Sequence, residues 1–573
     1  MSEPGSQTQS YPMRRVVVFA VFLAGMIALA LRALELQVLQ HDFLQEMGDA
    51  RHLRVVHTPA LRGMITDRHG EPLAVSAPVD SIWINPLEYS ATQEQVTRLA
   101  TLLDMRAVDL NSRIRERGER EFVYIKRHIS PELAAQIKAL GVAGLNVQRE
   151  YRRYYPMLDI ASHVVGFTNI DDIGQEGMEL TYNDWLSGEP GAKRVIKDRR
   201  GLIIGDVELI RQARPGNDLR LSIDGYLQYL AYSELRNAVR KFNAESGSVV
   251  VLDPHNGEIL AMVNQPGYNP NNRAELKPEL FLNRAVKDLF EPGSTAKPFT
   301  IAAAVDSNVF QYNSKLNTNP GSYAIPGHVI KDKNNLGVID MTTVISKSSN
   351  VGAAMVAMKV PSEQLWHAFH DFGFGQRTQS HFPGEEAGFL RDFTGWYPAD
   401  KATLSYGYGF SVTSLQLAQA YAVLAADGVF RPVTFIAGMP PREERQVVSA
   451  ETARAVRRMM QKVVSPEGTG YRASVEGYRV AGKTGTAKKA AAGGYGDEYQ
   501  AVFAGMVPAD QPRLVAVVMI NEPKGGQYYG GDVAAPVFAN IMAGALRQFN
   551  IPPNDLPGQR IDEIRVAATG DSQ

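Results

Sequence analysis

The chain has 573 residues, 44% of them hydrophobic and 21% charged, with 60 basic against 61 acidic side chains and a formal net charge of -1. This composition builds globular cores rather than a disordered chain, and a length of this order predicts roughly two to four domains. The balanced charge removes any general field for gathering nucleic acid, and the lack of cysteine excludes disulfides, thiolate nucleophiles and Cys-based zinc sites.

Residues 1–13 are polar and aperiodic and are predicted to form a tail on the cytoplasmic side. Arg14 and Arg15 then precede an apolar run, Val16 to Leu31, that continues beyond Arg32 through Leu34, Leu36 and Val38. Arg32 can snorkel to an interface, so residues 14–38 are predicted to be a membrane anchor. A cleaved signal peptide ending near Ala28-Leu29-Ala30 is the competing reading. The basic pair before the span puts the N-terminus inside and everything after about residue 40 outside.

Residues 39–220 are rich in arginine and charged pairs, and Asn111 to Glu121 alternates in sign as a solvated helix would. Arg62-Gly63 through Asp67-Arg68-His69-Gly70, followed by Leu73-Ala74-Val75, predicts a turn and a strand. A second cluster holds Arg153-Tyr154-Tyr155-Pro156, His163 to Gly166 and Gly174 to Glu179. No nucleophile and base recur here at catalytic spacing, so support or partner binding is expected of this region.

The texture changes near Ser246. Ser248 to Leu252 and Glu258 to Val263 are apolar runs joined by Asp253-Pro254-His255-Asn256-Gly257, a hairpin signal. A mostly helical stretch follows, then strands at Tyr478 to Thr486, Ala501 to Val507 and Leu514 to Ile520, and a helical pattern over Ala534 to Phe549. Two strands before a helical insertion and three after it predict one five-stranded antiparallel sheet flanked by helices, with an all-helical second lobe. The fold class is therefore multidomain α/β (α+β): a membrane helix, an elongated α+β pedestal over 39–220, a catalytic domain over 221–553, and a loose tail over 554–573.

Within the helical stretch, Glu291-Pro292-Gly293-Ser294-Thr295-Ala296-Lys297-Pro298-Phe299 is a turn feeding a helix. Residues three apart share a helix face, so Lys297, if neutral, can take the proton of the Ser294 hydroxyl. Burial or a neighbouring cation would keep it neutral. Pro298 is tolerated only in a first turn, which places the helix start near Ser294.

Ser294-x-x-Lys297 alone is a weak signal. Ser348-Ser349-Asn350 and Lys483-Thr484-Gly485-Thr486 follow in order, and together the three segments resemble the penicillin-recognising serine acyltransferases. The resemblance makes Ser294 the nucleophile, Lys297 its base, and Ser348 a proton relay between Lys297, Lys483 and the leaving amine. It gives Asn350, Thr484, Gly485 and Thr486 to substrate binding, with backbone N–H groups of Ser294 and Thr486 as the oxyanion hole. Gly485 would let the edge strand approach the substrate backbone.

The front region narrows the match. Arg62-Gly63 with Asp67-Arg68-x-Gly70, Arg153-x-Tyr155-Pro156 and Gly174-x-Glu176-Gly177-x-Glu179 resemble the pedestal boxes of class B penicillin-binding proteins. Leu404-Ser405-Tyr406-Gly407-Tyr408-Gly409 with Val412-Thr413-x-Leu415-Gln416 is similar to the septal, FtsI-type members. The resemblance implies a peptidoglycan D,D-transpeptidase trapped by beta-lactams, with stem peptides as donor and acceptor, and a SEDS-type glycosyltransferase and other division proteins as partners. A D,D-carboxypeptidase or beta-lactamase-like hydrolase and a non-catalytic drug sensor or division scaffold are the rival readings. The Lys488 to Gly496 segment is expected to be a flexible loop. No cofactor is expected and no metal, since the 11 histidines are scattered without a His-Glu-x-x-His pattern and His163 and His255 suit structural or surface positions.

Overall fold

The computed structural model describes residues 12–43, 53–197, 203–275, 277–440, 443–491 and 494–555. The expected tails fall largely outside these residues. The chain forms two compact units that do not follow it linearly: one holds residues 1–60, 78–151 and 189–214, the other 61–77, 152–188 and 215–573.

In the first unit, an exposed helix Pro12–Leu34 continues into a π-helical turn Glu35–Leu39, and together they are long and apolar enough to cross a membrane. Arg32 does not stand alone at its end, because its guanidinium meets Glu35 at 2.6 Å. Strands Leu53–Thr58, Gly191–Lys197 and Ile203–Arg211 make an antiparallel sheet. A separate core gathers Ile82, Ile84, Leu99, Leu110, Ile114 and Ile137. The helix expected over Asn111 to Glu121 is instead Ala107–Arg115. Its inward stripe ends at Ile114, and no apolar anchor follows before Gly118.

The second unit is organised by the sheet anticipated from the sequence. Strands β1 (Ser246–Leu252), β2 (Ile259–Gln265), β3 (Ala481–Ala491), β4 (Gly494–Val507) and β5 (Leu514–Asn521) lie in the order β2-β1-β5-β4-β3, all antiparallel. The strands are near-continuous apolar runs because both faces are covered. Alternate residues serve opposite faces. Val250, Leu252, Val515, Val517 and Met519 face the helical lobe, whereas Val249, Val251, Phe503, Val518 and Ile520 face helices α1 (Gly225–Lys241) and α5 (Ala535–Gln548). Asp224 caps α1 by accepting from Leu227 N at 2.9 Å.

The helical lobe contains α2 (Lys297–Asp306), α3 (Asn350–Lys359) and α4 (Ser414–Ala425). Phe299 of α2 packs its ring against Phe372, Phe374 and Tyr421, at centroid distances of 4.8, 5.1 and 5.3 Å. Burying such rings stabilises by about 1.5–3 kcal/mol each and fixes where α2 begins. Lys488 to Gly496 is not an open loop among the described residues. The β3-β4 ladder runs on past a bulge after Lys488, and Ala490 pairs with Tyr495 and Ala491 with Gly494.

Candidate active site

Ser294 lies in a 3-10 turn, Gly293–Ala296, leading directly into α2, with Pro298 in the first turn as its ring requires. Three contacts from one distant segment hold the turn. Phe290 exchanges backbone hydrogen bonds with Val412, Gly293 N donates to Gly407 O at 2.9 Å, and Gly409 N donates to Glu291 Oε1 at 2.7 Å. Gly407 has φ of +91°, and a β-carbon there would sit 1.9 Å from Gly293 O. That conformation and that contact both require glycine. The Leu404 to Gly409 and Val412 to Gln416 motifs therefore brace the Ser294 turn, a job their spacing alone does not disclose. Tyr421 of α4 adds a hydrogen bond to Thr295 O at 2.9 Å.

Lys297 is fully buried, with Nζ 2.8 Å from Ser294 Oγ, 2.7 Å from Ser348 O, 3.1 Å from Ser348 Oγ and 2.7 Å from Asn350 Oδ1. Burial pushes its pKa well below the usual lysine value, nearby Lys483 pushes it further, and Asp332 works in the opposite direction. Lys483 is equally buried and its pKa falls to about 7 through desolvation. Its Nζ lies 3.0 Å from Ser348 Oγ and 3.0 Å from Thr484 O. Ser348 reaches both lysines from a left-handed conformation, φ +60°, uncommon for a residue with a side chain.

β3 is an edge strand of the sheet. Its Thr484 Oγ1 lies 2.8 Å from Thr469 Oγ1, and Thr486 Oγ1 accepts from Gly530 N at 2.9 Å. Gly485 has an additional reason to lack a side chain. A β-carbon there would meet Thr295 Cγ2 at 2.9 Å and Pro292 O at 3.0 Å, so the glycine lets the strand pack onto the Ser294 turn. Ser294, Ser348, Asn350, Thr484 and Thr486 line one cleft of about 520 Å³.

Asp332, which sequence reasoning passed over, organises one wall. Its carboxylate accepts from Asn350 N at 2.6 Å, Val351 N at 3.1 Å and Ser349 Oγ at 2.5 Å, capping α3 where Asn350 begins. Thr469, Lys333 and Tyr529 were also missed. Each stands alone in the sequence, without a motif to mark it, and reaches the cleft only through the fold.

The front boxes meet within the second unit. Glu179 takes Arg62 Nε at 2.7 Å and Arg153 Nε at 2.6 Å, all three side chains buried. Asp67 Oδ1 accepts from His69 N and Glu71 N, closing the Asp67-to-Gly70 turn. The Arg62–Glu179–Arg153 cluster is a set of buried structural charges of the kind that is costly to break. The two histidines sit as expected: His163 is buried with Nε2 2.9 Å from Leu280 O, and His255 Nε2 lies 2.8 Å from Pro512 O. No cluster of potential metal ligands occurs among the described residues.

Residues 247–543 match the family model for the penicillin binding protein transpeptidase domain, and residues 57–221 match that for the penicillin-binding protein dimerisation domain. The peptidoglycan D,D-transpeptidase FtsI of Escherichia coli K12 is 43% identical over 545 residues, covering 93% of this chain and 92% of that protein. The chain belongs to the FtsI-type class B penicillin-binding proteins. Another member, the probable peptidoglycan D,D-transpeptidase PbpC of Pseudomonas aeruginosa, is 43% identical over 553 residues, 96% of this chain and 97% of that one. Among solved structures, penicillin binding protein 3 from Mycobacterium tuberculosis, complexed with aztreonam, superposes with a TM-score of 0.68 at 28% identity, covering 88% of this chain and 98% of that one.

Proposed function

We propose that this penicillin-binding protein is a peptidoglycan D,D-transpeptidase that cross-links stem peptides through an ester on Ser294, in septal wall synthesis. The observation that carries this reading is the placement of two buried lysines around two serine hydroxyls. A neutral Lys297 amine has two N–H bonds and one lone pair. Ser348 O and Asn350 Oδ1, each 2.7 Å away, suit the two N–H bonds, which leaves the lone pair for the Ser294 hydroxyl at 2.8 Å.

Ser294 Oγ attacks the penultimate D-Ala carbonyl carbon as its proton passes to Lys297. The C–O bond forms, and the oxyanion is held by backbone N–H groups of Ser294 and Thr486, donors of a kind worth roughly 3–4 kcal/mol each. Ser348 then relays a proton to the departing amine, the C–N bond breaks, and terminal D-Ala leaves. In the second half, the amine of another stem peptide attacks the ester, gives up a proton through the same relay, and releases Ser294. Lys483, Thr484 and Thr486 bind the terminal carboxylate, Asn350 holds a peptide carbonyl, and the edge of β3 carries the substrate backbone. Beta-lactams acylate Ser294 as mimics of D-Ala-D-Ala.

The Pro12 to Leu39 helix serves as a single-pass inner-membrane anchor, its N-terminus cytoplasmic and the catalytic domain periplasmic. Glycan polymerisation falls to a partner, a SEDS-type glycosyltransferase of the division complex. The test is labelling of the full chain with a fluorescent penicillin, wild type against Ser294→Ala, followed by denaturing gel and intact mass. A stoichiometric, long-lived, Ser294-dependent adduct is expected. Rapid release would make the protein a hydrolase, and no labelling of folded protein would remove Ser294 as nucleophile.

A further inference from the structure

Lys333 and Tyr529 face each other in the same cleft as Ser294, and each is fixed by a neighbour that also holds the catalytic motifs. On the helical side, Asp332 is tied to Asn350 N and Ser349 Oγ, and the next residue, Lys333, lines the same cleft as Asn350. On the sheet side, Gly530 N is tied to Thr486 Oγ1, so the preceding residue, Tyr529, is presented beside Thr486. The Lys333 ammonium sits 5.9 Å from the centre of the Tyr529 ring. It has no carboxylate partner among the described residues.

The anions of the cleft are already engaged. Asp332 is consumed by the α3 cap, and Asp532 lies 3.6 Å from Arg472. Of the two outer lysines, Lys347 donates to Glu467 O at 2.8 Å, which leaves Lys333 as an exposed ammonium with aromatic side chains and no carboxylate beside it among the described residues. An ammonium held by the next-door residue against an aromatic wall is a poor structural contact and a ready receptor for an anion.

The position suggests which anion. With the terminal carboxylate at Lys483, Thr484 and Thr486 and the penultimate carbonyl at Ser294, the rest of the donor peptide leaves the cleft past Asn350. At about 3.3 Å per extended residue, the first residues before D-Ala-D-Ala pass within reach of a lysine side chain there. We infer that Lys333, seated against Tyr529, is a second carboxylate subsite that selects donor stem peptides bearing a free carboxylate just upstream of D-Ala-D-Ala, over those in which it is amidated. This rests on the reading of the cleft as a stem-peptide site.

The test is equilibrium binding to the full chain carrying Ser294→Ala, so that no acylation intervenes, while the Ser294 nucleophile is checked separately by penicillin labelling of the wild type. Two synthetic pentapeptides ending in D-Ala-D-Ala are titrated by ligand-observed NMR, one with a carboxylate on its third residue and one with the carboxamide. The acid is expected to bind about tenfold more tightly, the scale of one well-made charge-assisted contact. That preference should disappear on adding Lys333→Gln, persist with Lys333→Arg, persist with Lys347→Gln, and weaken with salt. Equal affinity for acid and amide, binding of neither, or a preference that survives Lys333→Gln would overturn the inference.

Discussion

Lys297 and Lys483 share one hydroxyl: Ser348 Oγ lies 3.1 Å from Lys297 Nζ and 3.0 Å from Lys483 Nζ. One lysine comes from the start of α2 and the other from the edge strand β3, so the two walls of the cleft meet at a single proton-carrying atom. Two buried cations this close disfavour each other's protonation, and the acid-base behaviour of the site belongs to the pair.

Acylation should therefore follow the neutral form of Lys297. The rate constant for fluorescent-penicillin labelling should fall as pH is lowered through the Lys297 pKa, which stands well below the ordinary lysine value. Removing a neighbouring positive charge with Lys483→Met should raise that pKa and move the acid limb to higher pH. Removing a neighbouring negative charge with Asp332→Asn should lower it and move the limb to lower pH. Identical limbs in all three proteins would show that Lys297 is not the group titrating.

Lys297→Ala should lower the labelling rate by about 10²–10⁴-fold, the usual contribution of a positioned base. Folding should survive in part, because the hydrophobic packing of α2 around Phe299 remains. Near-normal labelling, read together with an unchanged far-ultraviolet spectrum, would transfer the base role elsewhere.

Gly407→Ala should damage the Ser294 turn from 113 positions away in sequence. The added methyl meets Gly293 O at 1.9 Å and forces a left-handed backbone onto alanine. A shift of about 1 Å in a nucleophile costs on the order of 100-fold in rate. Labelling should drop by that order, with far less effect from the same change at Gly327, where the added methyl meets nothing within 4 Å.

His163 supplies a stability test with a definite sign. Burial lowers its pKa to about 4, against an ordinary value of 6.5. The unfolded chain thus binds the proton more readily, and the stability tied to the neutral ring is complete above about pH 6.5 and lost as pH falls towards 4. The span corresponds to about 3 kcal/mol at most. Urea unfolding at several pH values should show a flatter dependence between pH 6.5 and 4 for His163→Gln, which keeps an N–H donor for Leu280 O.

The residues that meet in the cleft were legible in the sequence as candidates because each lies in a short contiguous motif whose spacing survives folding: Ser294 with Lys297, Ser348 with Asn350, Lys483 with Thr486. The sheet was equally legible, since strands buried on both faces leave unbroken apolar runs such as Ser248 to Leu252. What stayed hidden is whatever depends on distance through space. Asp332 lacks any local pattern, yet it places Asn350. Gly407 looked like part of a subtype signature and is in fact a contact for Gly293. Gly485 seemed to make room for substrate and also makes room for Thr295. The helix over Asn111 to Glu121 was overextended because sign alternation marks a solvated face but not where its buried partners end.

The strand order has a consequence for how the protein comes into being. Ser246 at the start of β1 is joined to Asn521 at the end of β5, 275 residues later. β1 and β2 thus leave the ribosome with one long apolar edge unmatched until nearly the whole chain has been made. At synthesis rates of about 5–20 residues per second that interval is roughly 15–55 s. Until β5 arrives, the hairpin is an apolar nascent surface with no partner strand, the part of the chain most open to wrong pairing while the rest is still being made.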